Sequence, residues 1–161
     1  MKLFVTGGGG FLGLVIVRQL CAQGHEVVTF SRVYYPALEQ LGVTHFQGDL
    51  SDYAALKKAM MGCEAVFHVA AKMGSWGKYK DFYRTNVIGT ENVLQACHEM
   101  RIRYLVYTSS PSVVYNGKDS EGHNESLPYP KKYNAYYPQT KAMAEKLVMA
   151  ANDAQPPTIL R

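Results

Sequence analysis

Four consecutive glycines at positions 7–10, with a fifth at 13, stand between an apolar run and an amphipathic stretch. Lys2-Leu3-Phe4-Val5-Thr6 reads as a strand, and residues 11–22 place Leu12, Val15, Ile16 and Leu20 at helical spacing. A strand that turns at once into a helix opens a βαβ unit, which commits the chain to the α/β class. Gly7, Gly10 and Gly13 make a GxxGxxG spacing. Gly7 permits the tight turn out of the strand. Gly10 lets an anion reach the helix N-terminus, where unpaired N–H groups and the dipole favour negative charge. Gly13 lets the helix pack close to the sheet. In this position the pattern predicts a dinucleotide pyrophosphate site, with Phe11 and Leu12 in the same turn.

The rest of the chain repeats the alternation. Strands are expected at 26–30, 43–47, 65–70 and 104–108, and a sixth opens at Thr158. Helices are expected over 36–41, from the Ser51-Asp52 cap to 60, over 81–100, and over 136–152, with Pro138 tolerated in the first turn. Gly89 weakens the middle of the fourth of these five helices. The segment 111–134 is a long polar loop of the kind that usually carries function. The fold class is therefore α/β, a doubly wound, Rossmann-type parallel sheet in three α/β/α layers. One domain over residues 1–161 is expected to stop inside strand six, with a C-terminal substrate-binding domain missing.

Composition narrows the class of partner. Hydrophobic residues at 47% and charged residues at 19% suit a globular fold and exclude wholesale disorder. Seventeen basic against thirteen acidic residues leave a net charge of +4, but the basic residues occur in scattered pairs, which argues against nucleic acid. No apolar run approaches the roughly 20 residues that span a bilayer. Three cysteines without a CxxC pair suit a reducing compartment, so a cytoplasmic location is expected. No His, Cys, Asp or Glu cluster has metal-ligand spacing, so no metal is expected. His68, among apolar neighbours in strand four, reads as a hydrogen-bonded core histidine.

Strand two ends in Ser31-Arg32, where an NAD site would carry an acid for the ribose 2′-hydroxyl. Arg32 can pair with a 2′-phosphate and Ser31 can hydrogen-bond it, so NADP(H) is favoured over NAD(H). Asp49-Leu50, past strand three, sits at the ligand-binding edge of the sheet. Asp49 either accepts from the adenine amino group or caps the following helix.

Tyr137 and Lys141, at i and i+4, share a helical face. A free phenol titrates near pH 10. A neighbouring ammonium favours the phenolate that a general base requires. Tyr133 and Tyr136 lack a lysine four residues on. At the end of strand five, Ser110, with Ser109 as second choice, can hydrogen-bond a substrate oxygen and orient it toward Tyr137.

TGGGGFLG, the Asp-Leu after strand three, HVAA, NVIGT, YTSS and YPQTK occur in this order and spacing along all 161 residues. In this the chain resembles the extended short-chain dehydrogenase/reductase family. YTSSPSVVYNG, Leu127 to Tyr129 and YPQTKAMAEKLVMAAND are most similar to its 3β-hydroxysteroid dehydrogenase branch. That branch includes the sterol-4α-carboxylate 3-dehydrogenases and the bacterial 2-alkyl-3-oxoalkanoate reductases, which the 70–77 loop resembles most. The resemblance implies a small-molecule oxidoreductase that interconverts a secondary alcohol and a ketone on a 3-hydroxy/3-keto acid or steroid-like substrate. It implies Tyr137 as general acid/base, Lys141 as the group that lowers its pKa and holds the ribose, and Ser110 as the hydroxyl that positions substrate. Ala70 and Ala71 would line the cofactor. Asn86 would join the supporting polar network or be a satisfied core asparagine. Met73 and Trp76 would line an apolar pocket, or Trp76 would pack on the surface. A homodimer through helices 81–100 and 136–152 is implied, as is an inactive 161-residue piece that at most binds cofactor. Two readings compete: a nucleotide-sugar epimerase or dehydratase of the same fold, and a non-catalytic NADP(H)-binding module.

Overall fold

The computed structural model describes residues 1–117, 121, 124, 126–154 and 158–160. Strand β1 (Lys2–Thr6) leads through the glycines into α1 (Phe11–Ala22), and β2 (Glu26–Ser31) follows. A short α2 (Pro36–Glu39) precedes β3 (Thr44–Gln47), then α3 (Tyr53–Ala59) and β4 (Ala65–His68). One continuous helical path then comprises α4 (Tyr79–Phe82), a π-helical stretch (Tyr83–Ile88) and α5 (Gly89–Glu99). Strand β5 (Tyr104–Tyr107), a 3-10 turn (Pro111–Val113), α6 (Tyr136–Ala154) and β6 (Thr158–Leu160) complete it. The fifth expected strand and helix boundaries thus move by one or two residues. The Gln155-Pro156-Pro157 lead into strand six, much of 118–125 and Arg161 lie outside the described residues.

All pairings are parallel, in the order β3-β2-β1-β4-β5-β6. The order reverses between β1 and β4, and the carboxyl edge at such a reversal is where open α/β sheets bind ligands. Alternation along each strand feeds two cores. Phe4, Val28, Val66 and Leu105 face α3 and α5, meeting Leu56, Met60, Val93 and Cys97. Leu3, Val5, Val27 and Ala65 face the other way, onto Val17 and Leu20 of α1 and Leu38 of α2. Helix α6 closes the first face through Ala144 and Val148 against Tyr107.

Two glycines settle how the layers meet. A Cβ on Gly13 would stand 2.1 Å from the Gly7 carbonyl oxygen, so α1 rests directly on the turn that feeds it. A Cβ on Gly89 would stand 2.8 Å from the Leu50 Cβ. The glycine that looked like a helical weakness is therefore the seat of Leu50, and the helix runs through it without a break.

Strand β4 ends at His68, two residues before the apolar run does. The Thr6 hydroxyl accepts the Val69 and Ala70 N–H groups, each at 3.1 Å, and bends the chain out of the ladder. The sequence marks these residues as strand because all are apolar; the diversion comes from a threonine 63 positions away.

The Gly13 contact is backbone against backbone and cannot be relieved by a rotamer. Gly13→Ala is expected to destabilise the fold by about 3 kcal/mol or more. Gly10→Ala is expected to be mild, since a Cβ there stays 3.3 Å from the same oxygen at an ordinary φ of −75°. Denaturant melts of the two variants check this, and equal losses would show that the close approach is not the constraint.

Candidate functional site

At the sheet's carboxyl edge lies a cleft of about 450 Å3 that runs over β2, β1, β4 and β5. Gly7, Gly10, Phe11, Leu12 and Gly13 form its middle. Gly7 takes a left-handed φ of 70°, and a Cβ there would meet the Ala70 Cα at 2.9 Å. Helix α1 begins at Gly10 with no side-chain cap and no acid in its first turn. Its first N–H groups therefore face the cleft without a protein anion beside them. Phe11, 98% exposed, stands at the rim.

One end of the cleft is built by Ser31, Arg32, Asp49 and Leu50. The Ser31 hydroxyl donates to the Val33 carbonyl at 2.8 Å, so its proton is already engaged by its own turn. Arg32 is exposed, its backbone carbonyl held by the Gln47 amide at 2.8 Å. Asp49 Oδ1 accepts the Ser51 N–H and hydroxyl, and Arg84 donates to Oδ2 at 3.2 Å. Burial raises the Asp49 pKa, but the Ser51 hydrogen bonds and the Arg84 and Arg32 charges outweigh it and hold the carboxyl below its usual value. The helix cap itself is Asp52, which accepts the Ala55 N–H. Asp49 thus shapes the turn ahead of α3 while lining the cleft.

The other end gathers Ser110, Tyr137 and Lys141, from the β5 end and the first turns of α6. Ser110 caps the 3-10 turn through the Ser112 N–H and lies 2.8 Å from the Ser112 hydroxyl. Tyr137 is half-buried. Lys141, only 3% exposed, donates to the Thr108 carbonyl at 2.7 Å and lies 4.2 Å from the Tyr107 ring centroid. Burial pushes its pKa down from 10.5 to about 8, against a Glu145 charge that raises it.

Behind this end runs a hydrogen-bonded chain. Thr6 already accepts two N–H groups, so its own proton goes to His68 Nδ1 at 2.7 Å. His68 Nε2 then donates to Thr90, and Thr90 donates to the Asn86 carbonyl at 2.7 Å. The ring is neutral in this arrangement, in keeping with burial and the Lys141 charge driving its pKa down to about 3. Asn86 continues the chain: its Oδ1 accepts the Lys72 N–H, and its Nδ2 donates to the Lys72 carbonyl and the Thr140 hydroxyl. The π-helical stretch carries Asn86, and widened turns of this kind often serve sites.

The expected residues therefore divide. All those assigned to the cofactor, Ala70 and Ala71 included, line the cleft, as do Ser110, Tyr137 and Lys141. Asn86 does not; it is 2% exposed and works on the 72 loop and on α6. Trp76 neither lines the cleft nor packs on the surface, for it is 91% exposed on a loop whose Gly74 and Gly77 both hold left-handed φ values. Met73 does line it, while 72% exposed. His68 is the core histidine expected. Ser109, the second choice to Ser110, donates to Glu145.

Three contributors carried little sequence signal. Tyr35 lays its ring over Gly9 and lines the cleft, though nothing in its neighbourhood marks it. Thr140 links Asn86 to α6 from inside the YPQTK motif. Glu145 did leave a trace, four residues past Lys141 on the same helical face. Among the described residues no helix is long and apolar enough to cross a membrane, and no group of three metal-ligating side chains occurs.

The sequence matches the 3-beta hydroxysteroid dehydrogenase/isomerase family over residues 4–158. It is 47% identical over 161 residues to a 2-alkyl-3-oxoalkanoate reductase of Stenotrophomonas maltophilia, covering 99% of this chain and 49% of that protein. It is 40% identical over 151 residues to the human sterol-4-alpha-carboxylate 3-dehydrogenase, decarboxylating, covering 94% of this chain and 40% of that one. Its fold superimposes with a TM-score of 0.87 on an Agrobacterium tumefaciens short-chain dehydrogenase/reductase superfamily protein with bound NAD, 29% identical, covering 99% and 48% of the two chains. The chain spans about half the length of the curated relatives it matches.

Lys141 makes the site pH-sensitive. Between its folded value of about 8 and its unfolded 10.5, the unfolded state binds more protons than the native one, so this lysine makes stability rise with pH across that window. Compared with Lys141→Met, the wild type is expected to gain up to about 3 kcal/mol from pH 8 to 10.5. Paired denaturant melts measure the difference; a flat difference would mean the buried lysine keeps its ordinary pKa.

Proposed function

Because the chain belongs to the 3-beta hydroxysteroid dehydrogenase/isomerase family, we propose that the protein is a nicotinamide-dependent oxidoreductase that interconverts a secondary alcohol and a ketone. The observation that carries this is the meeting, in one cleft, of a glycine-turn helix N-terminus with Ser110, Tyr137 and Lys141. The cleft fits a dinucleotide: it runs from Arg32 across the uncapped start of α1 to the Tyr137 end. A bound nicotinamide cofactor supplies the hydride acceptor or donor.

The chain's own residues handle the oxygen. Ser110 donates a hydrogen bond to it and fixes its direction. Tyr137 gives the oxygen its proton in reduction and takes that proton back in oxidation. Lys141, fixed by the Thr108 carbonyl, places an ammonium one helical turn from the phenol. Asn86 positions Thr140 and the 72 loop so that the mouth of the cleft and the start of α6 keep one geometry. An enzyme rather than a cofactor sensor is favoured because both Tyr137 and Lys141 are present and face the cleft.

The substrate class we infer is a 3-hydroxy or 3-keto acid, or a steroid-like molecule with that arrangement. The names of the two relatives place the reacting oxygen on the carbon β to a carboxylate: a 3-oxoalkanoate in one, a 3-position beside a 4-carboxylate in the other. NADP(H) is the cofactor form we favour, because Arg32 is exposed at the cleft's far end and no acid ends strand β2.

Two measurements test this. Tyr137→Phe in the whole protein is expected to lower turnover of 3-keto acids with NADPH by about 100-fold or more while cofactor binding holds. Unchanged turnover would overturn the mechanism. Arg32→Ala is expected to weaken NADPH binding by roughly tenfold or more, the worth of a charge-assisted hydrogen bond, and to leave NADH binding unchanged. Equal losses for both cofactors would remove the reason for favouring NADP(H).

A further inference from the structure

Glu145 is an acid sealed into the back of the site. It is 1% exposed, on α6, one turn beyond Lys141 and two beyond Tyr137. A carboxylate so buried is costly unless hydrogen bonds hold it. Here the Ser109 hydroxyl donates to one oxygen and the Tyr129 hydroxyl donates to the other at 2.7 Å. Those two donors come from different segments. Ser109 ends the β5 crossing and directly precedes Ser110; Tyr129 belongs to the long loop before α6. The carboxylate therefore joins the loop, the strand end and the helix at one point.

The same carboxylate answers the buried ammonium beside it. Lys141 is held by an uncharged carbonyl, and the positive charge it carries lies in a pocket closed by Tyr107. We propose that Glu145 is a positioning residue of this site: it anchors Ser109, and so the turn that presents Ser110, and it supplies the counter-charge for the Lys141 ammonium. The inference rests on the oxidoreductase reading above.

Among the described residues, the titratable groups beside this pair come from four segments, and the Lys146 ammonium stands 4.7 Å from the Tyr129 ring centroid. From α6 come Tyr137 and Lys141; from β5, Tyr107; from β4, His68; and from the loop before α6, Tyr129 and Tyr133. His68 stays neutral down to a pH of about 3, and burial with the nearby Glu145 charge raises both Tyr107 and Tyr133. None of these three changes charge near pH 8, where Lys141 does. Removing the Glu145 charge removes the coulombic influence that raises Lys141 against its burial, and leaves the Thr108 carbonyl in place. Loss of the Lys141 proton then begins at a lower pH.

Glu145→Gln keeps the shape and, through its one carbonyl oxygen, can still accept from one of the two hydroxyls, but it has no charge. In the whole protein, assayed with NADPH and a 3-keto acid, the alkaline limb of the kcat profile is expected to move to lower pH. Glu145→Asp, which restores the charge, is expected to bring the limb back. A Glu145→Gln limb that coincides with the wild type overturns the counter-charge role. Ser109→Ala tests the anchor, whether or not the glutamine variant folds. It is expected to lower kcat about tenfold, the worth of one hydrogen bond to a charged group, with cofactor affinity unchanged; unchanged kcat overturns the anchor. Tyr137→Phe in the same assay separates the two levels: full activity there removes the oxidoreductase reading itself, whereas a dead Tyr137→Phe with an unmoved Glu145→Gln limb removes only the role of Glu145.

Discussion

A neutral histidine in the middle of a parallel sheet ties this protein together. His68 has no water to turn to, so its two ring nitrogens must find partners within the fold. One takes the Thr6 proton and the other gives its own to Thr90. Because Thr6 also accepts the N–H groups of Val69 and Ala70, the same hydroxyl sets where β4 stops and where the wall of the cleft begins. Thr90 passes the constraint to Asn86, and Asn86 passes it to the 72 loop and to the helix of Tyr137. The glycine turn and the Tyr137 helix, 130 positions apart at Gly7 and Tyr137, are thereby held to one another by side chains that touch no ligand.

The site then adds a charge where the fold would prefer none. Burial of Lys141 weakens its hold on a proton, and the native state is most penalised at the pH where the ammonium is useful. Sites that keep a strained or desolvated group usually lose some stability for it. Glu145 and the Thr108 carbonyl limit that loss here, and both sit on elements that meet at the β5 edge. The stability of the fold and the working state of the lysine therefore run in opposite directions above pH 8.

Much of this was open to a reader of the sequence alone. The glycine spacing, the alternation of apolar runs with amphipathic stretches and the Tyr137–Lys141 pair are local signals. Each depends on residues within a few positions of one another, where periodicity and steric rules apply. They sufficed for the α/β class and the strand count, and the glycine turn, Ser110, Tyr137 and Lys141 do fall on the cleft, whereas Asn86 does not. Gly89 shows the limit: locally it is a poor helix former, and only the arrival of Leu50 against it gives it a purpose. Trp76 shows another, since aromatic size says nothing of whether a loop turns its side chain in or out.

What the sequence by itself determined is the architecture and the chemical types at its ligand edge, because those follow from chain-local geometry. What only the tertiary structure decided is how those groups are held: the tautomer of His68, the Asn86 link across the 72 loop to α6, the Ser109 and Tyr129 hydroxyls on Glu145, and the burial that shifts Lys141. Each of these joins residues between 14 and 64 positions apart or depends on exclusion of water. Hydrogen bonds and desolvation act through space, and no pattern along the chain encodes which distant donor will arrive at a given acceptor.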